Sequence, residues 1–272
     1  MNCVIIIPIY KPFLELTTNE VKSIVQCLRI LKKHHISFIC QESFSDIDLY
    51  NALAVGENKD VEFKQFKKKY FENIKGYNRL LLSRTFYDSF RKYDYMLIYQ
   101  TDAYVFSDQL DFWCKKGYDY TGAPWFEGYF PSSSSKIIGV GNGGFSLRNI
   151  QKAIEILRRY NKLKNIFFLF RSLKIKWFLK TLAFIKKINT NSSIILSGNI
   201  ILEYNNVKED GFWSEYIPSL FSDFTVAPID DAIRFSFEVN PRFLFELNEH
   251  QLPFGCHAWE KYDYSFWKNF IN

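Results

Sequence analysis

The stretch YDYMLIYQTDAYVF, residues 93 to 106, runs from an apolar segment straight into Gln100, Thr101 and Asp102, then back into Ala103, Tyr104 and Val105. A carboxylate between two apolar runs is costly to bury unless it is paired, hydrogen-bonded or bound to a cation. Strand side chains alternate, so Gln100 and Asp102 share a side and offer two oxygen donors suited to a hard divalent ion such as Mg²⁺ or Mn²⁺. A turn or helix cap is the competing use of an isolated Asp. In GVGNGGFSLR, residues 139–148, Gly143 and Gly144 let the backbone approach a ligand closely, and Asn142 adds an amide. The spacing fits neither the dinucleotide-binding nor the P-loop pattern. In KEDGFWSEY, Glu209 and Asp210 serve either as caps on a helix dipole or as a general base for a hydroxyl nucleophile. His257, in PFGCHAWEKY, is a metal ligand or a satisfied core histidine. Trp125, beside a Gly-Ala-Pro turn, offers a plane for a sugar ring or a ring for the core.

Elements must carry these groups to one place. Residues 4–9 form a continuous apolar, largely β-branched run, the pattern of a strand buried in the middle of a parallel sheet. Thr18 caps a helical pattern in which Val21, Ile24, Val25, Leu28 and Leu31 share a face. Residues 37–40 give a second short strand, and the order strand, helix, strand predicts a crossover unit and an α/β fold. Residues 76–90 read as one helix feeding a strand at 95–100. A short helix near 108–114, a strand around 118–123 and a helix capped by Asn149 follow. Ligands of open α/β sheets gather at the carboxyl ends of strands, where Asp102 lies. No repeat or linker stands out, so residues 1–272 read as one domain.

Composition narrows the class. The 272 residues are 47% hydrophobic and 24% charged, which is globular and not disordered. Aromatics reach 19%, far more than a ligand site uses, so most belong to the core. The net charge of +6 favours anionic partners. The basic residues concentrate in one segment without a nucleic-acid-binding signature, which argues against a nucleic-acid partner. Five scattered cysteines without C-x-x-C spacing fit a reducing cytoplasm. No leader-like start and no stretch long enough to span a bilayer is read, so the expected location is cytoplasmic.

Taken in order, IIIPIYK, GYNRLLLSRTFYDSF, YMLIYQTDAYVF, YDYTGAPW, GNGGFSLR, EDGFWS and PFGCHAWEKYD resemble a family of bacterial GT-A-type glycosyltransferase domains, largely catalogued as a domain of unknown function. The resemblance covers residues 4–263 except 165–188. It implies a GT-A-like, Rossmann-like fold with a mixed, mainly parallel central sheet flanked by helices. It implies an inverting glycosyltransferase of surface-polysaccharide assembly, moving a sugar from a nucleotide-diphosphate donor, UDP by preference, to a glycan or lipid-linked acceptor. Such enzymes place Asp-x-Asp after a central strand; here Gln100-Thr101-Asp102 keeps the last acid alone. The resemblance assigns the second ligand of a Mn²⁺ or Mg²⁺ to His257, the general base to Asp210, and to Glu209 the part of its neighbour or of an acceptor contact. It sets Asn142, Gly143 and Gly144 under the donor sugar or acceptor. Pro8, Ile9 and Tyr10 would meet the nucleoside, and Arg79 or Arg84 the diphosphate. A noncatalytic nucleotide- or sugar-binding module on the same fold is the alternative.

The segment 165–188, NIFFLFRSLKIKWFLKTLAFIKKI, mixes Phe, Leu and Trp with Arg171, Lys174, Lys176, Lys180, Lys186 and Lys187. It reads as an inserted basic helix, resting either on the anionic inner face of the cytoplasmic membrane or against the core with a charged edge.

Overall fold

A computed structural model describes residues 1–128, 135–172 and 208–271. Its first strand, β1 (Cys3–Pro8), is buried at every position. That burial follows from position: β1 pairs in parallel with β2 (His35–Gln41) on one side and β4 (Tyr95–Tyr99) on the other. Between β1 and β2 runs α1 (Thr18–Ile30), which turns Ile24, Cys27 and Leu28 inward. The cap is Thr17, one residue earlier than expected. Its side chain accepts from the Glu20 N–H while the Glu20 carboxylate accepts from the Thr17 N–H, a capping box that makes Thr18 the first helical residue.

Helix α2 (Ile47–Gly56) leads to β3 (Glu62–Phe66), a parallel edge strand on β2. Its sequence EFKQF is half-buried and alternates poorly, so the strand leaves no apolar run to find. The helix expected over 76–90 is two, α3 (Ile74–Leu81) and α4 (Arg84–Asp88). The break falls at Ser83, whose hydroxyl accepts from the Phe86 N–H and restarts the helix.

After β4 come β5 (Ala103–Val105) and α5 (Leu110–Lys115). The strand expected around 118–123 is divided into β6 (Tyr120–Thr121) and β7 (Ala123–Phe126). Gly122 stands between them, where a Cβ would overlap the Gly141 carbonyl. Strand β8 (Ile137–Gly141) pairs with β7, and β9 (Phe145–Asn149) lies antiparallel to β4. Asn149 caps α6 (Ile150–Ser172) as expected, its Oδ1 accepting from the Lys152 N–H at 3.0 Å. The α6 backbone enters the 165–188 segment as far as Ser172; the remainder of that segment lies outside the described residues.

The large sheet has the order β3-β2-β1-β4-β9-β6, four parallel strands followed by two antiparallel pairings. One face packs Ile5, Ile7 and Tyr99 under α1, α2 and α5; the other packs Val4, Ile6 and Ile98 under α3, α4 and α6. A small sheet joins β10 (Ser236–Phe237), β11 (Gly255–His257) and β5. The expected α/β architecture, with a mixed, mainly parallel central sheet, is the one found. From β1 the chain winds outward through β2 and β3, then returns to β4 on the other side of β1. The reversal lies between the carboxyl ends of β1 and β4, the point at which open α/β sheets leave a crevice.

Candidate active site

Strand β4 ends at Tyr99, and the Gln100 N–H donates to the Gly144 carbonyl at 2.8 Å, tying the strand end to the glycine turn. Three residues after Gln100, β5 begins and pairs antiparallel with β11, setting Ala103 opposite His257. Gln100-Thr101-Asp102 is therefore the link between the large and small sheets. Its side chains alternate as the sequence implies. His257 Nε2 lies 3.1 Å from Gln100 Oε1 and 3.1 Å from Asp102 Oδ1. Thr101 turns the other way, buried, and donates to Glu20 Oε1 at 3.3 Å.

The far side of the imidazole is also held: Nδ1 lies 3.1 Å from Glu238 Oε1. Burial opposes charge on His257, but Asp102 and then Glu238 outweigh it and raise the pKa to about 10. Burial likewise pushes Asp102 up, and the cationic His257 overcomes it, leaving the carboxyl below its ordinary value.

The glycine turn fits against both ends of this arrangement. Asn142 takes the left-handed conformation, φ 72°, and its Oδ1 accepts from the Gly144 N–H at 2.9 Å. A Cβ on Gly143 would overlap Glu209 Oε1, and one on Gly144 would overlap the His257 imidazole. Here the absence of a side chain is a steric requirement, set by Glu209 on one side and His257 on the other.

Glu209 and Asp210 open a short helix, α7 (Glu209–Gly211), and part company at once. Glu209 is buried and held by Arg148 of β9: Nη2 donates to Oε1 at 3.0 Å, and Nη1 stands 2.8 Å from Oε2. A guanidinium that cannot lose its proton, in contact with both carboxylate oxygens, keeps the pair ionic. The Asp210 carboxylate accepts the Gly211 N–H at 2.9 Å and faces the cavity. Burial raises its pKa; the Gly211 N–H and Lys208 pull the other way and do not cancel it.

A cavity of about 610 Å³ opens where these pieces meet. Of the residues expected at a site, Pro8 and Tyr10, Gln100, Asn142 to Gly144, Glu209, Asp210 and His257 all line it. Asp102, its side chain 43% exposed, joins it through His257. Helix α3 also lines it, with Ile74, Tyr77 and Asn78 on one helical face.

Five expected residues are placed elsewhere. Ile9 alternates inward from Pro8 and Tyr10 and is part of the core. Thr101 points to Glu20. Arg79, one residue beyond Asn78 and so turned about 100° from it, is exposed and lines no part of the cavity. Arg84 starts α4 and pairs with Asp88 at 3.0 Å. Trp125 is 7% exposed, packed where a Cβ on Gly141 would be, and offers no stacking face. Conversely, Arg148, Glu238 and Tyr77 were not singled out from the sequence. Arg148 had a signal, a lone charge in the apolar strand FSLRN. Glu238 had none, being one acid after a two-residue strand.

A divalent ion can be tested against this donor set. Neighbouring ligands of an octahedral ion bound at about 2.1 Å stand about 3 Å apart. Asp102 Oδ1 and His257 Nε2, 3.1 Å apart, meet that spacing, and Gln100 Oε1 meets it from His257 as well. Among the described residues no three His, Cys, Asp or Glu side chains group as a metal cage. A cation here would thus complete its shell with water and ligand oxygens, as Mg²⁺ does with phosphates.

The fold has relatives among solved structures. Mouse xyloside xylosyltransferase 1 matches with a TM-score of 0.50 and 9% identity, over 94% of this chain and 96% of that one. The galactosyltransferase LgtC, solved with donor and acceptor sugar analogues, matches with a TM-score of 0.46 and 13% identity, over 94% and 86%. The glycosyltransferase GlyE of Streptococcus pneumoniae matches with a TM-score of 0.44 and 13% identity over 95% of this chain, which spans only 54% of the GlyE chain. At these identities the likeness is one of fold, of the GT-A type. No curated protein matches the chain in sequence. A family model described as a protein of unknown function (DUF5672) matches from residue 60 to residue 257, from the edge strand to the histidine of the cavity, and the chain belongs to that family.

Proposed function

We propose that this chain is an inverting glycosyltransferase, moving a sugar from a nucleotide-diphosphate donor, UDP by preference, to a hydroxyl of a surface-polysaccharide or lipid-linked glycan acceptor. The observation that carries the reading is the division of one cavity. Gln100 and His257, with Asp102 bonded to the latter, stand at one wall, and Asp210 stands at another, with the Gly143–Gly144 turn between.

Asp102 and His257 would hold the Mn²⁺ or Mg²⁺, which when bound supplies neutralising charge to the departing diphosphate. Asp210 takes the proton of the acceptor hydroxyl. The freed oxygen pair forms a bond to the anomeric carbon on the face opposite the nucleotide. The bond from that carbon to the diphosphate oxygen breaks, its electron pair leaving with the nucleoside diphosphate, so one displacement inverts the configuration. Burial, which raises the Asp210 pKa, makes its carboxylate a stronger base than a surface Asp. Glu209 acts through Arg148: the buried pair anchors the start of α7, so that the next residue faces the cavity. Pro8 and Tyr10, which line the cavity at the end of β1, would meet the nucleoside.

Release of UDP from a panel of UDP-sugars with Mn²⁺ and glycan acceptors tests the reading. Transfer by the wild type with loss in Asp210→Asn is the expected result. Donor binding without turnover would identify a binding module, and no nucleotide binding at all would overturn the proposal.

A further inference from the structure

His257 is surrounded by acceptors. Glu238 Oε1 lies 3.1 Å from Nδ1, while Asp102 Oδ1 lies 3.1 Å from Nε2. A neutral imidazole carries one N–H and one lone pair. With the proton on Nε2, the ring would donate to Asp102 and turn its Nδ1 lone pair onto the Glu238 carboxylate. With the proton on Nδ1, it donates to Glu238 and leaves the Nε2 lone pair beside Asp102. The second state alone makes Nε2 a ligand, with a cation standing between Nε2 and Asp102 Oδ1; without that cation both nitrogens carry protons, and the Nδ1–H still donates to Glu238.

The fold fixes this contact. Strands β10 and β11 run in parallel with Phe237 opposite Cys256, so Glu238, the residue after β10, comes beside His257, the last of β11. Their side chains are 17% and 13% exposed. Glu238 forms its salt bridge with His257. A carboxylate so placed, lining the cavity yet committed to the back of the ring, has the geometry of an outer partner that orients a metal-binding histidine.

We infer that Glu238 is a positioning residue: by accepting the Nδ1–H of His257 it commits Nε2 to present its lone pair, beside Asp102, to a divalent cation. The inference rests on the metal assignment in the function proposed above and names the residue that makes His257 a ligand.

Mn²⁺ alone is the probe, with the free ion quantified by its EPR signal against the full chain and the fold of each variant checked by thermal melting. Glu238→Ala should weaken Mn²⁺ binding by about 10- to 100-fold. Glu238→Gln, whose amide oxygen still accepts from Nδ1, should recover most of that loss. In metal-free protein labelled with ¹⁵N at histidine, the hydrogen-bonded Nδ1 proton of His257 should vanish in the Ala variant and persist in the Gln variant. Unchanged Mn²⁺ affinity in Glu238→Ala overturns the inference. So does a Glu238→Gln as weak as Glu238→Ala, which would leave a bare charge effect. A wild type that binds no Mn²⁺ removes the metal assignment and this inference together, yet leaves Asp210-dependent transfer to stand or fall on its own assay.

Discussion

Two adjacent acids, Glu209 and Asp210, face different surroundings, one the Arg148 guanidinium and the other the cavity, and the proposed division into structural and chemical duties is testable one side chain at a time. Glu209→Gln leaves the buried Arg148 guanidinium without its counter-charge, which should cost about 3–5 kcal/mol in a urea unfolding curve. Replacing both Arg148 and Glu209 by Met should restore much of it. Asp210→Asn should behave in the opposite way. Its folded-state pKa is raised, so the folded protein holds that proton more tightly than the unfolded chain does. The contribution of Asp210 to stability is then greatest at low pH and is lost as pH rises through the raised pKa. At neutral pH the asparagine variant should melt no lower than wild type, while transfer falls by about 10²–10⁴. The same shift predicts that kcat/KM in the wild type rises with pH through an acid limb above the ordinary Asp value of about 3.9. Asp102, Asp210 and His257 were legible in the sequence because motifs set them off. Glu238 was not, since which acid meets His257 depends on two short strands pairing across nineteen residues of chain.

Short elements, more than the long ones, make the site. Strands β1, β2 and β4 announce themselves as apolar runs, whereas β5, β10 and β11 have two or three residues each and give no periodicity to read. Yet it is β5 and β11 that bring Asp102 to His257. The glycine turn between β8 and β9 was legible as a close approach, but what approaches is protein: Glu209 at Gly143 and His257 at Gly144. The two glycines should therefore fail differently. Gly143→Ala pushes on a carboxylate clamped by Arg148 and should lower the melting temperature. Gly144→Ala displaces an imidazole at the cavity wall, so it should weaken Mn²⁺ binding by about tenfold or more with a smaller loss of stability. Melting curves and Mn²⁺ titration on the same two variants check the contrast. Equal effects on both measurements would mean that the turn is a single packing unit.

For the whole molecule, topology explains why one crevice collects residues from positions 8 to 257. The winding reverses between β1 and β4, and the carboxyl ends of those strands deliver Pro8 and Gln100 to the gap. Charge is distributed against the overall balance. The chain carries +6, but among the described residues the cavity is lined by four acids, Glu72, Glu209, Asp210 and Glu238, against Lys208 and the protonated His257, with Arg148 behind Glu209. An excess of basic residues reads from composition as attraction for anions, and only the folded arrangement shows that the crevice itself is acidic. A nucleoside diphosphate brought to such a wall meets like charge unless a cation comes with it. UDP with Mn²⁺ at a hundred times its dissociation constant should stabilise the protein by about 2.7 kcal/mol. For a chain of this size that is a rise of roughly 5–10 °C in melting temperature. The same UDP with EDTA should give little shift, and in Asp102→Asn the Mn²⁺-dependent part should shrink. An equal shift with and without the ion would mean that the diphosphate is held by the chain's own cations, and that the acidic crevice is not where the leaving group sits.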